Sequence, residues 1–277
     1  MVGNIGEKIR HTITEASKDV KTMATKTVGT VADIIESGLE GTRDVLVKTE
    51  RMTADIISGA LKAAEQVQTD ATSAVVNVMD GVIKGSGRLG HSLGDSIRGS
   101  AQGIIKGASE AQCDTSVVTR SAIVGAIKGT SEIAISAEDA ASEASTGAIH
   151  AIKEVGGDVG QAAKDTISGA IGGVAATSVE LSGVVSKVTK ANILAAQEMG
   201  EDVGNVTTRS VEAAIERSRD LGISAERLAT AAATGAIEAA DEIGDEAGEK
   251  VRRAATGTIS GIKVVAGEPF RKSKGKS

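Results

Sequence analysis

The sequence predicts an all-α protein built from tandem helical repeats. Three observations predict it. A small residue followed two places later by Leu or Ile recurs every 22 residues, proline is absent before Pro269, and Phe270 is the only aromatic residue. The partners in that recurrence are Leu39, Leu61, Ile83, Ile105, Ile127, Ile149, Ile171, Ile193, Ile215, Ile237 and Ile259. Twenty-two is twice eleven, and eleven residues make three helical turns at about 3.67 residues per turn. Side chains so spaced return to one face without drift. In the unit from Gly147, Ala148, Ile149, Ile152, Val155 and Gly156 share an arc of roughly 130°, the width of an amphipathic stripe.

Residues 1–14 form a short leader, 15–265 the repeat array and 266–277 a basic tail. Without proline, no ring geometry interrupts the array. The expectation is therefore long amphipathic 11/3 helices, folded back into a hairpin or bundle. The alternative is an α-solenoid, with helices stopped at Gly156, Gly200, Gly222 and Gly244. Long helices are preferred because the equivalent places in other units are Gln68, Gln112, Ala134 and Ser178, which lack glycine's left-handed freedom. The second half of each unit opens on an acid or Ser: Asp70, Ser92, Asp114, Ser136, Asp158, Glu180, Asp202, Ser224 and Glu246.

A second stripe is made of small residues. Gly59, Gly81, Gly103, Gly125, Gly147, Gly169 and Gly257 open their units, and Gly85, Gly107, Gly129, Gly173 and Gly261 stand four places after an opening residue. This small-xxx-small ladder lets another backbone approach closely. Arg217 is the exception at the second position. Each glycine costs a helix interior about 0.8–1 kcal/mol relative to Ala. Helicity must then come from burying the apolar stripe against a lipid surface, a partner or another stretch of the chain.

Composition narrows the function classes. The lone Cys113 forms no intrachain disulfide, which suits a reducing, cytoplasmic setting, peripheral on a membrane or inclusion surface. No signal peptide is expected, and no run reaches the roughly 18 apolar residues of a membrane span. A net charge of −6 argues against nucleic-acid binding. The basic end, Arg271, Lys272, Lys274 and Lys276, reads as a tether to an anionic surface. His11, His91 and His150 lie too far apart in sequence for a metal spacing, so no metal, cofactor or catalytic residue is assigned. Gly85-Ser86-Gly87-Arg88-Leu89-Gly90 matches the dinucleotide fingerprint, but it falls in helical register where a strand should precede it.

Residues 24–33 (Ala-Thr-Lys-Thr-Val-Gly-Thr-Val-Ala-Asp) and 38–49 resemble the 11-residue repeats of synucleins and perilipins. The same period and Ala/Thr/Lys/Glu bias resemble group-three late embryogenesis abundant proteins. The resemblance implies a chain disordered in solution that becomes an extended helix on lipid, droplet or drying surfaces. The leading functional expectation is a non-enzymatic coat on a lipid, droplet or granule surface. The alternatives are a self-associating scaffold packed through the Gly/Ala ladder, and a stress protectant.

Overall fold

The computed structural model describes residues 5–15, 20–66, 70–89, 92–175 and 179–264. Among them the chain forms twelve α-helices and one β-hairpin. The helices are α1 (Ile5–Glu15), α2 (Val20–Leu39), α3 (Val45–Gln66), α4 (Ala71–Leu89), α5 (Leu93–Glu110) and α6 (Thr115–Gly129). After a 3-10 turn at Thr130–Glu132 come α7 (Ala137–Glu154), α8 (Val159–Val174), α9 (Leu181–Glu198), α10 (Val203–Asp220), α11 (Ala225–Ile243) and α12 (Asp245–Ala254). Strands β1 (Gly257–Ile259) and β2 (Ile262–Val264) close the described chain.

Helices α1 to α11 each pack most closely on a helix two places away, and α12 packs on both α11 and α10. The odd helices α1 to α11 stack in one layer, and the even helices α2 to α12 in the other. Sequential helices bridge the layers, so the fold is a two-layer α-solenoid. The all-α class stands, while the long continuous helix gives way: the chain turns back once per 22-residue unit. In the units of α7, α9 and α10, eighteen helical residues and a four-residue connection fill that length.

The turns have identifiable causes. Gly156, Gly200 and Gly222 take φ of +75°, +70° and +67°. The N–H of the following residue reaches back to the helix, Gly157 to the Ile152 carbonyl, Glu201 to Ala196 and Ile223 to Ser218, each at 2.8 Å. This six-residue closure satisfies carbonyls that a helix end leaves free. Gln112 makes the same stop without glycine, at φ +58°, with Cys113 N–H donating to the Ala108 carbonyl at 2.9 Å. Two residues past each stop stands the acid or Ser of the recurring row, and it caps the next helix. Asp114 Oδ1 accepts from Ser116 N–H at 2.8 Å, and Asp158 Oδ1 from Gln161 N–H at 3.0 Å. Ser136 and Ser224 accept from Asp139 and Arg227 at 3.0 and 3.3 Å. Glu180, one methylene longer, makes no cap bond.

Both ends of the array depart from expectation. The supposed leader contains α1, which belongs to the odd layer and buries Ile9 and Ile13. Residues 257–264, expected to be helical, form the hairpin, paired Gly257 to Val264, Thr258 to Lys263 and Ile259 to Ile262. Its two-residue turn is Ser260-Gly261, at φ +46° and +79°. Both angles are positive, as in the turns whose twist suits a tight hairpin. Alternating Ile259, Ile262 and Val264 supply the β-branched pattern. The hairpin lies against α11 and α10, and Arg219 Nη2 donates to the Ser260 carbonyl at 2.8 Å.

Candidate functional site

The Leu/Ile stripe lies inside the molecule. Leu39, Leu61, Ile83, Ile105, Ile127, Ile149, Ile171, Ile193 and Ile215 are all buried in one continuous core. Ile237 and Ile259 are half-buried against it. These residues, read from the sequence as contacts to an external surface, therefore meet the chain's own helices. The physical reason is the turn at every unit, which supplies each stripe with an internal partner and removes the need for an external one.

The small-residue ladder sits between neighbouring helices of the same layer. A Cβ on Gly85 of α4 would stand 2.5 Å from the Ala32 carbonyl oxygen of α2, and one on Gly81 2.8 Å from that of Val28. On Gly107 of α5 it would lie 2.7 Å from the Ala54 oxygen of α3, and on Gly169 of α8 2.7 Å from the Arg120 oxygen of α6. Gly59 meets Gly6, Gly103 meets Glu50 and Gly147 meets Arg98 still more closely. Gly125, Gly129 and Gly173 are closed in by the side chains of Met79, Ile83 and Ile127. Gly257 and Gly261 do not extend the ladder; they belong to the hairpin, with nothing near their would-be Cβ. Arg271, Lys272, Lys274 and Lys276 lie outside the described residues.

Arg217, where the ladder expects a small residue, reaches towards α8. The residue it approaches there is Gly172, at the place where Lys62, Lys84, Lys106 and Lys128 stand in earlier units.

Charge is arranged as rungs across the stack. Arg98 of α5 donates to Glu143 of α7 at 2.6 Å, and Lys187 of α9 to Asp139 of α7 at 2.7 Å. Lys106 of α5 holds Glu50 of α3 at 2.7 Å on one side and Glu154 of α7 on the other. In the even layer Arg88 meets Asp33 and Glu36 at 3.1 Å, Lys164 meets Glu216 at 3.0 Å, and Arg120 meets the buried Asp165. Burial alone would lower the Lys106 and Lys187 pKa values, but their paired carboxylates outweigh it and raise both. Arg88 is raised by its hydrogen bonds to Glu36 and Asp33. Sequence reading missed these pairs. Their signal is a separation above two units, 45 residues for Arg98–Glu143 and 56 for Lys106–Glu50.

What remains outside is polar. Val47 and Leu221 are the large apolar side chains left exposed among the described residues. A cleft of about 910 Å³ opens between α1, α2 and α3, lined by Ile5, His11, Ile34 and Met52 among others. No three His, Cys, Asp or Glu side chains converge as a metal site among the described residues. His150 faces Glu198 at 3.3 Å, and the Cys113 thiol is pushed up by burial and by Glu65. Residues 85–89 of the dinucleotide-like run lie in α4, with Gly87 against Ile133. No described helix is long and apolar enough to cross a membrane. Comparison of the chain with protein-family models and with curated proteins gives no match.

Proposed function

We propose that the chain is a non-enzymatic helical-repeat scaffold. Its apolar stripe and small-residue ladder hold its own helices together, and its polar outer faces are left for partners. One observation carries this reading: the isoleucine stripe that a coat would lay on lipid is buried between the layers from Leu39 to Ile215. The ladder supports it as well, since close backbone approach demands glycine at fixed places and a fluid surface does not. The ion-pair rungs add fixed partners along the outside of the stack.

Circular dichroism and mass in plain buffer test the proposal. The expected outcome is a strongly helical chain of 27.8 kDa that anionic vesicles and neutral lipid droplets leave unchanged. A coil in buffer that becomes helical only when lipid is added would sink the scaffold. That result would support the second reading, a coat formed by helices that unstack onto a surface. The observation favouring the coat is the 34 glycines, which leave each isolated helix dependent on burial for its stability.

A further inference from the structure

The units are so alike that their order in the stack needs an explanation. Most helices carry a small residue, then Leu or Ile two places on, and little in that pattern says which helix should neighbour which. At the position between those two residues, one helix breaks it with a buried amide. Asn192 of α9 is wholly buried at the junction of α8, α9 and α10. Its Nδ2 donates to Thr166 Oγ1 of α8 at 2.8 Å and approaches the Ala163 carbonyl at 3.4 Å. It also lies 3.5 Å from Ser210 Oγ of α10. Thr166 Oγ1 is in turn 3.1 Å from Asn192 Oδ1. Thr166 and Ser210 are wholly buried too.

Register makes the cluster informative. In α3, α5, α7 and α11 the residue equivalent to Asn192 is Ala60, Ile104, Ala148 and Ala236, all apolar and buried. Thr166 and Ser210 occupy one register position in successive even helices, three residues before the unit's opening residue. In α4 and α6 that position holds Val78 and Ala122, which are buried and offer no hydroxyl. Only between α8 and α10, among these even helices, does a buried amide meet a hydroxyl on both sides. Moved to the place of α7, Asn192 would face Ala122 on one side; moved to that of α5, it would face Val78 and Ala122. A buried amide without partners is costly, whereas the same position filled by Ala is indifferent to its neighbours.

We propose that the Asn192–Thr166–Ser210 cluster is a pairing key, which favours the place of α9 in the stack because any other place takes a hydroxyl from at least one side of the buried amide. A single buried polar residue sets register in this way in helical assemblies whose apolar seams are otherwise interchangeable. The inference rests on the fold alone and is independent of what the outer faces bind.

The test uses the full chain with Thr166→Val, Asn192→Ala and both together, unfolded in denaturant and refolded at high concentration. Thr166→Val removes the amide's shortest hydrogen bond, leaves it only the longer approaches to Ala163 and Ser210, and lowers the folding equilibrium about 5- to 150-fold. The double variant recovers most of that loss. Asn192→Ala, which restores the residue most units carry, refolds into a mixture. Residues 181–198 then show two hydrogen-exchange populations, and a dimer fraction appears from helices exchanged between copies. The wild-type chain gives one population and no dimer. Additive losses in the double variant would overturn the proposal. So would an Asn192→Ala chain that refolds to a monomer with a single exchange population.

Discussion

Gln112 holds a backbone conformation that the helix stops at Gly156, Gly200 and Gly222 give to glycine, φ +58° beside +75° at Gly156 and +70° at Gly200. A side chain in that region costs roughly 1–2 kcal/mol. The conformation persists because both flanks require it: Cys113 N–H closes on Ala108, and Asp114 must turn to cap α6. Gln112→Gly should therefore raise stability by about 0.5–1 kcal/mol after the entropy of a freer unfolded chain is counted. Gly156→Ala should lower it by about 0.5–1 kcal/mol on the same accounting. Denaturant midpoints at constant m-value check both, and a destabilised Gln112→Gly chain would mean that the stop is held by the glutamine side chain. Gly156, Gly200, Gly222 and Gly244 were legible only as candidate stops, in the solenoid alternative that the long-helix reading set aside, and there residue type and conformation agree. Gln112 was not, because its conformation is imposed by hydrogen bonds that no local composition reveals. The ladder glycines were legible as a stripe, yet only the fold says that Gly107 approaches Ala54 and Gly169 approaches Arg120.

At the scale of one helix, the acid-or-Ser row caps the start of α4 to α8, α10 and α11. Asp158→Ala removes the oxygen that accepts the Gln161 N–H and should cost about 0.5–2 kcal/mol. Glu180→Asp should gain a few tenths to about 1 kcal/mol, since the shorter side chain can reach the first-turn N–H that Glu180 leaves uncapped. A thermal melt of both variants checks the pair, and an unchanged Asp158→Ala melt would show that the cap is idle. This row was visible in the sequence but was read as the opening of a half-unit within a continuous helix. The 11/3 period is the source of that error. Three whole turns bring side chains back to one face whether the chain continues or folds back after eighteen residues, so periodicity alone does not distinguish the two. Glycine at one place and a capping residue two places later does distinguish them.

Lys106 acts between elements. Its ammonium is raised above its ordinary value because the Glu154 and Glu50 carboxylates outweigh the burial that opposes charge. A folded-state pKa above the unfolded one means that the stabilisation is complete below the unfolded value. It is lost as pH climbs through the folded value. The melting temperature should therefore fall above about pH 10.4, the ordinary lysine range, and fall less in Lys106→Met. Equal alkaline loss in both chains would remove the rung's contribution. Lys187, raised by Asp139 and Glu138 against the same opposition from burial, predicts the same sign.

The whole molecule inherits the logic of a one-dimensional stack. Each helix touches its sequence neighbours and those two places away, and little beyond. The all-α class was legible because hydrophobic period and the missing proline both report on helix, and the stripe was legible as apolar but not as buried within the chain. Layering was not, since the partner of each stripe could equally be lipid, another copy or the chain itself, and residue identity does not choose among them. In such a stack, damage should stay local. Ile149→Asp places a carboxylate in the core of α7, where an unpaired buried charge costs several kcal/mol. Hydrogen exchange should then lose protection in α5 to α9, the helices that touch α7 directly. Helices α2, α3 and α11 should keep theirs, because their own neighbours remain in place. In the unaltered chain the central helices should exchange most slowly and α1 and α12 fastest, since each terminal helix has a same-layer neighbour on one side only. Uniform loss of protection from α2 to α11 in the variant would mean that the twelve helices unfold as a single unit. Independent nearest-neighbour terms would then be the wrong description of what holds this chain together.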